Sequence, residues 1–555
     1  MRDSIRKRCT SIHTELENDF SSWKPHLQEI SNFTMPRMQQ FNVSQTGKGD
    51  KGMNSKILDP SATLYLRTAA GGMFSGITNP TMKWLRLNTS NKDKNKRHAV
   101  RVYLDQCSDI ILELLGKTNF YNASYMAMKD ILAFSTSSVG IQKSEKHFLR
   151  FYPNPIGSYR MANGEDLSVS THETSDRWTA ARLVERFGIN NVSNAVKSAY
   201  NSGNFQQRFE IRHLVFNNPD FIPQAFSAVH KEYCSIWYEV NAEDDKLLSR
   251  GGFDTFPFLT PRWEAVGSDV YGSFGPGMIG LGQIKGLQVD QKEKFTGSAL
   301  KNKPPMVGPT SLKNSISSLA PGGLTFLDNM TDGAGFIPAF QSTFSIQDSL
   351  ASISDTREIL KQVFFYDLFL TVIDVNKSGV TAYEIAQRKE EKMIMLGPVL
   401  TRFDEEFLDP TVVTAYHEAD RRGLLPDPPQ ELENEEIEIQ YTGLLHQAQK
   451  SVGVTSIERS LGFVGNLSAI APQAMDKVNV DKAVDIYFDI TGTTPEVTND
   501  ENTIKQIREQ RQKDKQAQRL AEMAPAAQQG ASAAKLLSDV DMNQNNGLTN
   551  MLGVQ

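Results

Sequence analysis

Three residue patterns in this chain approach known chemistry, and each lacks a part. Gly116-Lys117-Thr118 is the one Gly-Lys-Thr. It resembles the end of a phosphate-cradling P-loop, but Ile111 stands where the first glycine of that loop belongs. The Lys also follows a helical pattern, where a P-loop lysine follows a strand and a Gly-rich turn. Asp374-x-Asn376-x-Ser378-Gly379 begins like a calcium loop, yet its twelfth position is Ile385 and Glu384 falls one residue early, so the bidentate carboxylate is missing. The nine histidines include no His-Glu-x-x-His and no paired ligand spacing. Cys9, Cys107 and Cys234 are far apart and form no metal pattern or disulfide framework, which suits a reducing cytoplasm. No Gly-x-Ser-x-Gly elbow occurs. These absences argue against an ATP-driven motor, a metalloenzyme and a serine hydrolase, and no cofactor is implied.

The elements around the second pattern dominate the chain. Ile346, Leu350, Ile353, Leu360 and Phe364 fall at helical spacing, with Arg357 on the same face. They predict a helix from Ser345 to about Ile373, with Ser345 as N-cap and Asp348 in the first turn. Asp374 to Val380 reads as a loop. Thr381-Ala-Tyr-Glu384 then reads as a capping box. Behind it Ala386, Met393, Leu396, Leu400, Phe403 and Phe407 form one buried stripe, with a kink rather than a stop expected at Pro398.

Elsewhere the chain alternates between classes. Residues 10–30 look helical, and Asp59-Pro60 is a helix start with Asp as cap. A stripe of mostly small residues follows, from Ala62 to Met73, that permits close helix approach. Helical patterns cover 102–116, 119–134, 179–187 and 192–200. Strand patterns cover His147–Tyr152, Phe209–Phe216, Tyr233–Val240 and Glu436–Tyr441. Met278, Leu281, Ile284 and Leu287 are periodic too, but Gly280, Gly282 and Gly286 weaken that helix by about 1 kcal/mol each relative to Ala. Such glycines make sense where two backbones approach closely, which marks Gly282 and Gly286 as subunit-contact candidates. Lys92–Arg101 reads as a solvated basic run. Asp404–Gln440 holds twelve Asp or Glu against two Arg and reads mostly as a solvated acidic face. The fold class is α+β, helix-rich. With 59 basic and 65 acidic residues the net charge is −6. That argues against a protein that grips DNA through a basic surface, though not against one that encircles it loosely. The basic N-terminus has no apolar run behind it, and the most apolar stretch, Val363–Ile373, is too short to span a bilayer and contains Asp367.

Thr381-Ala-Tyr-Glu-Ile-Ala-Gln-Arg388, then Glu391-Lys392-Met-Ile-Met-Leu-Gly-Pro-Val-Leu400, Arg402 and Leu408-Asp-Pro410 resemble the head-to-tail connecting (portal) proteins of short-tailed double-stranded DNA phages. So do Ala69–Pro80 with Trp84-Leu-Arg-Leu87, Tyr152–Tyr159, Pro261-Arg-Trp263 and Tyr271–Pro276. The resemblance spans residues 10 to about 515. It implies a non-enzymatic ring of twelve copies at one capsid vertex, for genome packaging and ejection, with a wing, stem, clip and crown. The implied layout is a wing over 1–277, a descending stem helix over 278–301, a clip over 302–344 and a returning stem helix over 345–373. A channel loop over 374–380, a kinked helix with the wing completion over 381–440, a helical crown over 441–524 and a mobile tail over 525–555 follow. Implied partners are further copies of the chain, double-stranded DNA without sequence specificity, terminase, a tail adaptor, and major capsid and scaffolding proteins, with no membrane. The implied location is the virion, and the host cytoplasm during assembly. The DNA-channel candidates are Asn376, Lys377, Ser378 and Gly379, with Lys285 and Lys292 on the descending helix. A tail tube or adaptor ring of the same virion is the alternative. It would not need paired long helices around a clip.

Overall fold

Helix α1 (Ile5–Thr34) belongs to two cores at once. Cys9 and Leu16, from its first half, pack on a β-sheet, whereas Phe20, Leu27 and Ile30 enter the main core. The computed structural model describes residues 5–42, 55–91, 97–242, 246–304, 306–307, 337–338, 344–370, 395–432, 436–468, 471–484 and 503–518. The expected capping box at Thr381, channel loop at 374–380 and tail at 525–555 lie outside these residues, as do most of the clip and Lys92–Lys96 of the basic run.

Helix α2 (Ser61–Ile77) starts one residue later than expected, with Pro60 rather than Asp59 at the N-cap, and the Ser61 N–H donates to Asp59 Oδ1 at 2.8 Å. Its small residues do what their size allows. An added Cβ on Gly72 would overlap Phe369, and one on Gly76 would overlap Leu445. Strand β1 (Leu85–Thr89) and helices α3 (His98–Gly116) and α4 (Phe120–Phe134) follow. Trp84, fully buried, stacks between Phe120 and Tyr441 at 5.8 and 6.4 Å. Strands β2 (Val139–Ser144) and β3 (Phe148–Pro153) form a hairpin.

Strands β4 (Tyr159–Asn163) and β5 (Val169–Thr179) then open a five-stranded antiparallel meander. Helices α5 (Ala180–Phe187) and α6 (Asn194–Asn201) interrupt it, capped by the Thr179 and Ser193 hydroxyls. Strands β6 (Arg208–Asn217), β7 (Tyr233–Glu239) and β8 (Ser249–Phe253) complete it. One face packs on α1 through Leu214, Ile236 and Tyr238. The other packs on α5 and α6 through Trp178, Leu183, Val196 and Ile211. Strand β9 (Phe258–Leu259) pairs with β2 to make a separate three-stranded sheet.

A short helix α7 (Pro276–Ile279) leads through Gly280 into α8 (Leu281–Asn302). Strands β10 (Met306–Val307) and β11 (Ile337–Pro338) pair antiparallel, and α9 (Ile346–Val363) returns. The expected single helix to Ile373 is interrupted. Phe365 takes φ +52°, a left-handed conformation that no α-helix continues through, and helical turns resume at 366–370. Helical structure continues through Pro398 from residue 395, widens into a π-turn at Asp404–Leu408, and becomes α10 (Asp409–Arg421). Strand β12 (Ile437–Tyr441) pairs with β1, and α11 (Leu444–Ser468) follows.

Glu405, Asp420, Asp427, Glu436 and Glu438 of the acidic tract are exposed as expected, but four other carboxylates turn inward. The Glu418 side chain is fully buried and accepts from Arg421 and Arg422 at 2.6 and 2.7 Å. Glu406 takes Arg262 at 2.6 Å, Asp404 meets His446 at 2.9 Å, and Asp409 accepts from Tyr441 at 2.6 Å. Most of these partners come from distant segments, which charge counting along one stretch does not reveal.

Candidate functional site

The candidate site is the hairpin of α8 and α9. The helices run antiparallel, as three contacts along them show. Gly280 lies against Leu360 and Val363, Asp290 Oδ2 accepts from Ser352 Oγ at 3.0 Å, and Gly297 lies against Phe344. The inner faces are apolar near the body, where Leu281, Ile284 and Leu287 meet Leu360 and Phe364. Towards the hairpin tip that cover runs out. Val289, Phe295 and Leu350 are each at least half exposed.

A buried polar node fixes the hairpin to α2. The Asp59 side chain, fully buried, accepts from Gln291 Nε2 and Arg357 Nη2 at 2.7 Å each, besides capping Ser61. Gln288 Oε1 accepts the Leu58 and Asp59 amides at 2.7 and 2.8 Å, and its Nε2 donates to the Asp59 carbonyl at 3.1 Å. Burial by itself would raise the Asp59 pKa. The hydrogen bonds from Ser61, Arg357 and Gln291 outweigh it and hold the carboxyl below its usual range. One carboxylate therefore ties both helices of the hairpin to the body. Asp59 is legible in sequence as a cap, but nothing in the sequence pairs it with Arg357, which the periodicity assigned only to a buried face.

Each residue singled out from sequence has a definite place. Gly282 and Gly286 are exposed on the outer face of α8, and a Cβ added to either would meet nothing within 4 Å among the described residues. Neither serves close packing among those residues. Lys292 is exposed on the same helix, and Lys285 is ion-paired with Glu29 of α1 at 2.6 Å. Asn376, Lys377, Ser378 and Gly379 lie outside the described residues, as does the calcium-like pattern. Lys117 stands at the C-terminal end of α3, ion-paired with Glu113 at 2.6 Å. That is the wrong end of a helix for cradling phosphate. Among the described residues no group of three or more His, Cys, Asp or Glu could hold a metal ion. No described helix is long and apolar enough to cross a membrane.

A helix-rich α+β body carrying an antiparallel helix hairpin is the architecture this sequence builds. The family model described as "Bacteriophage head to tail connecting protein" matches residues 6–498, and the chain belongs to that family. It is 36% identical over 549 residues to the portal protein of Salmonella phage epsilon15, covering 99% of this chain and 98% of the relative. It is 33% identical over 546 residues to the probable portal protein of Bordetella phage BPP-1, covering 98% of each. A solved virion of a native gene transfer agent particle aligns with 73% of the chain at 8% identity and a TM-score of 0.32.

Proposed function

We propose that the chain is a portal subunit: a non-enzymatic ring component at one capsid vertex, through which the genome is packaged and ejected. The observation that carries this reading is identity of a third or more, over nearly the full length, to two proteins named as portals. In this reading twelve copies close a ring, α8 and α9 are the descending and returning stem helices, and residues 302–344 form the clip. Terminase, a tail adaptor, and capsid and scaffolding proteins dock on the ring, in the host cytoplasm during assembly or in the virion. Hydrophobic side chains support the assembly. Val289 faces solvent on the side of α8 that carries Gly282 and Gly286, and Phe295 and Leu350 face solvent nearer the hairpin tip. A neighbour packed there removes apolar surface from water, at about 25 cal/mol per Å².

Double-stranded DNA passes through such a ring without base readout, because a sliding polyanion must not be held by many phosphate contacts. Lys377, in the loop Asn376–Gly379, supplies one positive charge per copy at the channel, and Lys292 a second. Lys285 reaches the same helix surface with its charge already matched by Glu29. Two measurements test the reading. End-on electron microscopy of purified protein should show closed rings. Rings carrying Lys377→Ala or a deletion of Asn376 to Gly379 should form normally but package or retain less DNA in vitro. Monomers under all assembly conditions would overturn the portal reading. Normal packaging and retention by the deleted rings would reduce the loop to a connector.

A further inference from the structure

Arg182 and Arg186 lie one turn apart on α5, and neither meets a carboxylate among the described residues. Both are held on aromatic rings instead. The Arg182 guanidinium stands 3.6 Å from the centre of Trp178. That of Arg186 stands 5.2 Å from Trp178 and 4.7 Å from Trp237. Cation–π contact of this kind fixes the plane of a guanidinium and leaves its N–H edges for an acceptor. Burial, and then the positive charge of Arg182, lower the pKa of Arg186 from its usual value. Both side chains are exposed at their outer edges, and two cations that repel one another gain from an anion between them.

Space for that anion is present. A cleft of about 240 Å³ opens between the three-stranded and five-stranded sheets, lined by Trp178, Arg182, Arg186, His213 and Trp237, with Tyr152 at its margin. Asp176 is the one carboxylate in its lining. Its oxygens are occupied by the Trp178 indole N–H at 2.9 Å and the Arg177 amide at 2.7 Å. His213 is buried, with Nε2 on Ser235 Oγ at 2.9 Å. The lining therefore carries two arginine cations and one carboxylate held by neutral N–H donors, a net positive charge.

We propose that this cleft is a carboxylate-binding site that receives one planar anion between Arg182 and Arg186. The chemistry favours a carboxylate, because an arginine fork matches its two oxygens in one plane. The volume is below the roughly 300–1,000 Å³ of nucleotide-sized or drug-sized sites. A DNA duplex presents its phosphates on a convex surface and cannot deliver one into a recess between two sheets. The carboxylate comes either from a free small acid or from a Glu or Asp side chain of a protein that docks on the wing.

Isothermal titration of the full-length protein tests this with four probes: acetate, an end-blocked tetraglutamate peptide, inorganic phosphate and a short DNA duplex. One saturable carboxylate site per chain is expected. Arg186→Gln should weaken it by about tenfold, equivalent to about 1.4 kcal/mol, and Arg182→Gln/Arg186→Gln should abolish it. Acetate binding as tightly as the peptide assigns the site to free acids, and tighter peptide binding assigns it to a partner's side chain. Should the glutamine pair fail to fold, Arg182→Lys/Arg186→Lys keeps charge and stem but loses the fork, and should also weaken binding. No saturable carboxylate binding, affinity unchanged in the folded variants, or tighter binding of phosphate or duplex each overturns the proposal.

Discussion

His172 and His213 sit where a charged imidazole has no place. His172 is fully buried between Phe258 and Tyr159, at ring distances of 3.7 and 5.6 Å, with Nε2 on Ser138 Oγ at 2.7 Å. His213 stacks on Trp237 at 4.0 Å. Burial pushes His213 down to about 3, and burial with the nearby His213 drives His172 well below its usual value. Below pH 6.5 the unfolded chain binds a proton at each position that the native state refuses. Stability therefore falls as pH drops from about 6.5, by up to about 1.4 kcal/mol per pH unit for each histidine. Urea unfolding of the wild type at pH 7 and pH 5 should show that loss, and His172→Gln/His213→Gln should show much less of it. Asp130 works in the opposite sense. It is buried, its pKa is raised by burial, and its contribution weakens as pH rises above the usual carboxylate range. It is present in both proteins and cancels from the comparison. An equal slope in wild type and variant would mean that other groups set the acid limit.

At the scale of elements, the Asp59 node decides how the hairpin is held. Asp59→Asn keeps the shape but removes the charge facing Arg357, whose side chain is 42% exposed and reaches water. The expected cost is about 2–3 kcal/mol, at the low end for breaking a buried pair because Arg357 can be rehydrated. Its depressed pKa also makes this stabilisation one that is lost only when pH falls below the usual carboxylate range. Denaturant unfolding at pH 7 should report the loss. The gap between wild type and variant should close in strong acid. A variant as stable as wild type at pH 7 would show that Gln288 and Gln291 hold the hairpin alone.

Elements also differ in how far the sequence betrays them. Strands β6 and β7 alternate or run apolar because one of their faces meets α1 or α6, so their pattern is local. Strand β5 was not legible. Its buried Glu173 is satisfied by His13 at 2.6 Å and Tyr238 at 2.8 Å, and Ser170, His172 and Ser175 are buried beside it. A strand whose buried positions are polar carries no apolar alternation to find. The break at Phe365 was hidden for a different reason: hydrophobic spacing records faces, not backbone dihedrals. The N-cap at Ser345 was legible because capping needs only neighbouring residues, and the start near Asp59 was legible to within one residue. The far partners of the same Asp59 were not. The open positions of Gly282 and Gly286 agree with a sequence argument that they do not serve packing inside one chain.

For the whole molecule, the outer face of the hairpin is the surface on which assembly is proposed to depend. Leucine at Gly282 or Gly286 meets no obstacle among the described residues and is a better helix former than glycine by roughly 0.5–1 kcal/mol. The monomer should therefore fold at least as well. In a ring whose neighbours pack against these positions, the added side chains should reduce ring yield, measured by size-exclusion chromatography with light scattering. Undiminished rings from both variants would move the subunit contact away from this face.

The pairing of β1 with β12 imposes an order on the life of the chain. Asn88 bonds Gln440 across the two strands at 2.6 Å, although they are 352 residues apart in sequence. A ribosome adding about 5–20 residues per second needs roughly 20–70 s to travel from one strand to the other. Throughout that time β1 has an open edge, and Trp84 lacks the Tyr441 ring that later covers it. The hairpin is synthesised within the same interval, so its sticky outer face exists before the body beneath it is closed. A nascent chain would thus be most exposed to wrong partners late in synthesis. Release of the last third of the chain is the step that turns a risky intermediate into a closed body.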